Sequence, residues 1–199
     1  MWQQSPDAGD PTGSRQIFDL MDDLEAQAEA AYDLERHIDL ADRSRAEYAA
    51  VTLASRLAAS VGGDVALHVT GVGAVAGRLD RVGPDWCAVS INKGAPGLPR
   101  QDWVLSLGAI ALVRGASERS LPEVAWSPVA KLGLGSALRQ LAEDGRRCVV
   151  RLRDGAAHDV VLHRVGADFV EAQTGAGRLL VACSALAGVH STSEASRSG

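Results

Sequence analysis

A chain of 199 residues with 46% hydrophobic but only 4% aromatic content can fill one or two modest cores, built mainly from Val, Leu, Ile and Ala. A net charge of −5 supplies no global positive field for nucleic acid or an acidic membrane. Cys87, Cys148 and Cys183 lie far apart with no C-x-x-C pair, which argues against a disulfide framework or a zinc ribbon.

The acidity is concentrated at the start. Residues 1–63 carry 12 acids against 5 Lys/Arg, while residues 64–199 carry 13 acids against 15. The opening Met-Trp-Gln-Gln-Ser-Pro has neither the basic stretch nor the apolar core of a signal peptide, and no apolar run is long enough to span a bilayer. The expected compartment is the cytoplasm, with no membrane partner.

In chain order, residues 1–14 read as a loose polar tail. Residues 15–60 contain neither Gly nor Pro and are rich in Ala, Glu, Leu, Arg and Asp, which predicts a long acidic helical segment. Ile17, Leu20, Leu24, Ala28, Ala31, Leu34, Ile38 and Ala41 recur every three or four positions and mark one apolar face. Ser44-x-x-Glu47 has the form of a capping box, so either one helix or two in line fit the pattern. The stripe can pack on the rest of the chain or form the seam of a coiled-coil homodimer; Arg45 interrupts it and no strict heptad is kept.

Beyond residue 60 the chain repeats itself. Displaced by 83 positions (139 minus 56), Arg56–Val89 overlies Arg139–Ala172 without a gap, matching Arg81-Val82-Gly83 with Arg164-Val165-Gly166 and Asp85-Trp86 with Asp168-Phe169. After the insertion Asn92–Asp102, pairing resumes with Val104-Leu105 on Leu180-Val181, Ile110 on Leu186 and Val113 on Val189. Val65, Leu67 and Val69 alternate with Asp64, Ala66 and His68, and Cys148, Val150 and Leu152 with Arg147, Val149, Arg151 and Arg153, which is the period of a half-buried strand. Gly71-Val72-Gly73 and Asp154-Gly155 supply hairpin turns. Each copy therefore reads as a short helix and five strands, and a sheet of that size avoids bare edges by closing.

The expected fold is α+β: a long N-terminal α-helical segment, then two tandem five-stranded small β-barrels, each preceded by a helix. The expected divisions are a tail at 1–14, the helical segment at 15–60, the first barrel at 61–115, a connector with the start of a short helix at 116–138, the second barrel at 139–190 and a tail at 191–199. A helix, then G-x-x-V-x-V, G-x-L-x-x-V-G-x-D and a short hydrophobic pair around Ala-Ile resembles the Sm-like (SH3-type) barrel over about 50–115 and 134–190. The arrangement, with only Lys93 and Lys131 beside many arginines, also resembles a family of uncharacterised actinobacterial proteins. The Sm-like resemblance implies single-stranded RNA binding through an Asp, an Asn and an Arg-Gly pair. Here those places hold Gly83, Cys87 and Ser106-Leu107 in the first copy, and Gly166, Val170 and Ala182-Cys183 in the second. The chain departs from the family's RNA-contact set in both copies.

A second route to RNA is a basic strand face, with Arg147, Arg151 and Arg153 in alternation and Arg146, Arg164 and Arg178 nearby. Glu143, Asp144, Asp154 and Asp159 balance it, and no aromatic is interleaved to stack bases. For protein contact the candidates are Trp103, after the insertion, and Trp126, in the connector Leu121–Gly135. No G-x-S-x-G, H-E-x-x-H or G-x-x-x-x-G-K-[ST] is present, and His158 and His163, five apart, point to opposite faces of a strand. The expectation is a non-catalytic binding or scaffold protein with no cofactor or metal. It would contact a protein partner through its acidic helix and barrels, the alternative being an RNA-associated regulator.

Overall fold

The computed structural model describes residues 45–91 and 101–192, with isolated positions between 21 and 36. The chain divides after Ala50 into two compact units. In the first, the described positions Met21, Leu24 and Tyr32 are helical and exposed, and Arg36 lies over the Tyr32 ring at 5.0 Å. Most of the expected apolar stripe, and the homodimer it would build, lie outside the described residues.

The first unit's last helical residues stop before the second unit begins at Val51. Residues 45–49 are helical, Ala50 turns, and Val51-Thr52 are not helical. Thr52 then caps a new helix, α1 (Leu53–Ala58), in a reciprocal capping box with Ser55. Of the two arrangements the pattern allows, a single helix unbroken through Ser60 is therefore excluded. The longest described helix is α2 (Leu134–Asp144), with 11 residues, so neither a long N-terminal helix nor a coiled coil is supported among the described residues.

Among the described residues, ten strands follow the repeat. The first copy supplies β1 (Asp64–Val69), β2 (Gly73–Val82), β3 (Trp86–Ile91), β4 (Gln101–Ser106) and β5 (Ile110–Arg114). The second supplies β6 (Arg147–Leu152), β7 (Ala157–Val165), β8 (Phe169–Thr174), β9 (Gly177–Ala182) and β10 (Leu186–Thr192). Burial alternates strictly along β1, with Val65, Leu67 and Val69 inside, because its other face is polar or small. The copies share their irregularities as well. Bulges fall at Asp80 and at its counterpart His163, and again at Ala111 and Ala187.

The expectation of two separate barrels is corrected by the strand order. All ten strands form one antiparallel sheet, β5-β1-β2-β3-β4-β10-β6-β7-β8-β9. Neither copy closes on itself. Strand β4 pairs not with its own β5 but with β10, in the register Leu105↔Gly188, Val104↔Val189 and Trp103↔His190. The repeat thus satisfies one edge of each copy with the other copy's edge, and leaves β5 and β9 at the two ends of the sheet.

Two apolar clusters lie along this sheet and exchange residues. Leu57, Leu67, Leu79 and Leu105 centre the first, which also takes Ala187 from the second copy. Leu138, Val150, Leu162 and Leu186 centre the second, which takes Trp86 from the first copy. Each copy thereby contributes to burying the other's core.

Candidate functional site

The geometry of the β4–β10 junction decides which surfaces are free. Two backbones meet closely there. A Cβ at Gly188 would lie 2.7 Å from Leu105 Cδ2 and 2.9 Å from the Val104 carbonyl oxygen, so the position admits only glycine without a shift. The hairpin glycine Gly71, at φ 78°, sits just as tightly against the Leu152 carbonyl and the Arg153 backbone.

Of the three arginines picked out by alternation, Arg151 and Arg153 turn onto this junction and Arg147 does not. The half-buried Arg151 donates from Nη2 to the Gly71 carbonyl at 3.0 Å. Arg153 donates from Nη2 to Ser106 Oγ at 3.4 Å and from Nε to the Leu186 carbonyl at 3.4 Å. Both tie one copy to the other. Arg147 is exposed and pairs with Asp159 at 3.2 Å. Arg146 and Arg164 are exposed, with no hydrogen bond or ion pair among the described residues. Single-sequence alternation finds the face of a strand but not the neighbour that a junction brings onto it.

Both tryptophans named as contact candidates are buried. Trp103 stands in β4 with its ring centroid 4.3 Å from that of His190, whose Nδ1 lies 2.9 Å from Gln101 Nε2. Trp126 packs into the first core and donates Nε1–H to the Leu121 carbonyl at 2.9 Å. The connector is further held by the Leu121 amide on the Ser55 carbonyl and the Ser117 amide on Ser60 Oγ. Its far end is fixed by the turn after β2. Trp86 donates Nε1–H to the Leu132 carbonyl at 2.8 Å, and Asp85 Oδ1 accepts from the Leu134 amide at 2.7 Å, the first of α2.

The end strand β9 is different. Its first-copy counterpart, β4, is covered by β10, and Val104 packs against the second core. In β9 the residue equivalent to Val104 is Leu180, which is 69% exposed. A shallow hollow lined by Glu171, Arg178, Leu179 and Leu180 runs beside it. The opposite end strand, β5, carries the exposed Leu112 at the position equivalent to Gly188. The sequence pairs Leu180 with Val104 through the repeat, but the strand that covers Val104 and is missing over Leu180 is seen only in the fold.

The cysteines are chemically quiet. Burial pushes the Cys87 thiol up to about 12, and burial with the nearby Asp159 charge pushes Cys148 up to about 11. Cys183 is raised too, by burial first and then by Asp168 and Asp85. No group of three or more His, Cys, Asp or Glu positioned for a metal occurs among the described residues. No described helix is long and apolar enough to cross a membrane. Comparison with known proteins returned no matching family model, no curated relative and no solved structure of similar fold.

Proposed function

We propose that this is a non-catalytic binding or scaffold protein that takes an extended segment of a partner protein onto β9. What supports it is the contrast between the two copies. The surface that β10 covers on β4 has its equivalent on β9, where Leu180 stands exposed. Strand addition would supply main-chain hydrogen bonds for affinity, and a side chain over Leu180 would supply selectivity. The β4–β10 ladder is the template for what fits: an antiparallel strand with a glycine at the close approach.

A second copy of the chain is a poor occupant by the same template. It would offer β5, and Leu112 would fall where the junction requires Gly188. This favours a different protein as the partner. Three free cysteines, two of them buried, support a reducing cytoplasm as the place of action.

The test is affinity capture from the native cell by the full chain and by Leu180→Lys, each with and without nuclease, read by mass spectrometry. Partners that resist nuclease and disappear with Leu180→Lys are expected. Equal capture by the variant would overturn docking at β9. Loss of every partner on nuclease treatment would instead favour the RNA-associated regulator, acting through what remains exposed around Arg146 and Arg164.

A further inference from the structure

We infer that the cleft between α1, the end of β2 and the connector is a binding site for a small organic acid with an apolar aromatic body. The cleft has a volume of about 450 Å³, within the size range of small-molecule sites. Its apolar wall comes from three separate parts of the chain: Ala58 and Val61 after α1, Val82 and Trp86 around the turn after β2, and Trp126 and Val129 in the connector. The two indoles pack into different cores, Trp126 into the first and Trp86 into the second.

Both indole N–H groups are already committed, to Leu132 and Leu121 carbonyls, which fixes the rings and leaves only their carbon surfaces to a ligand. The rim is apolar as well. Val129 is 63% exposed, Val61 49% and Leu121 38%. An apolar collar around a preformed cleft marks a binding surface rather than a packing fault.

Charge selects the ligand. Two charged side chains line the cleft, Asp80 and Arg81. Asp80 lies 3.9 Å from the Arg78 guanidinium, so its charge already has a counterion. Arg81 is exposed and makes no ion pair or hydrogen bond among the described residues. The uncommitted charge at the cleft is positive, and a planar guanidinium is the natural partner of a carboxylate.

The test uses calorimetric titration of the full chain with 1-naphthoate and with its neutral twin 1-naphthylmethanol. One-to-one binding of both is expected, with naphthoate the tighter. Arg81→Gln should weaken naphthoate about three- to five-fold, the range of an exposed ion pair, and leave naphthylmethanol unchanged. Filling the cleft with Ala130→Trp should abolish both, and Ala58→Leu serves the same purpose should the first variant lose its sheet by circular dichroism. No saturable binding to the wild type would overturn the site. So would binding that survives a folded cleft-filling variant, an Arg81→Gln effect equal on both probes, or tighter binding of decanoate than of naphthoate.

Discussion

Gly188 is where two backbones come too close for a side chain, and its counterpart Leu112 is where nothing presses. Gly188→Val should cost about 1–3 kcal/mol through forced displacement of β4, read from urea unfolding. Leu112→Ala on the outer edge should stay within about 0.5 kcal/mol. The buried thiols give a second prediction with a definite sign. Their ordinary value is 9.0, and in the folded chain Cys87 stands near 12 and Cys148 near 11. Above pH 9 the unfolded chain loses these protons while the folded chain keeps them, so stability is full below pH 9 and falls as pH rises toward 11–12. The melting temperature should drop over that window, and Cys87→Ala with Cys148→Ala should flatten the drop relative to wild type. A slope unchanged by the substitutions would show the thiols to be accessible.

At the scale of elements, the repeat predicts asymmetry as well as likeness. Asp85 and Asp168 occupy equivalent turns, and in each the backbone carbonyl accepts from the chain after the fourth strand, at Leu107 and Cys183. Only Asp85 has a helix to hold, through the Leu134 amide. Asp85→Ala should therefore cost about 1 kcal/mol, as lost helix caps do, and Asp168→Ala close to nothing. Equal costs in denaturant titrations would contradict that division of roles. Much at this scale was legible in the sequence, because strands follow period-two burial and turns follow glycine, as at Gly71 and Asp154-Gly155. The site was less so. Arg151 and Arg153 read as a solvated basic face by alternation, but they meet Gly71 and Ser106 across a junction that no local pattern encodes. Propensity likewise allowed one helix or two in line over 15–60, and the Thr52–Ser55 capping box starts α1 afresh after a break.

For the whole molecule, five strands per copy suggested closure because a small sheet must deal with its edges. The same physics is met differently, by giving β4 to β10 and leaving β5 and β9 at the ends. Which solution a tandem repeat adopts depends on contacts between copies, and the trace of it in sequence is a difference of single residues, Gly188 against Leu112 and Val104 against Leu180. That choice also sets the proposed function, since an end strand is available only if the sheet stays open. Hydrogen exchange of the backbone amides tests it most directly. Strands β4 and β10 should be protected as strongly as the interior strands β3 and β6, while β9 exchanges much faster along its outer edge. Equal, rapid exchange in β4, β10 and β9 would mean that the junction does not hold, and the account of one open sheet would fail.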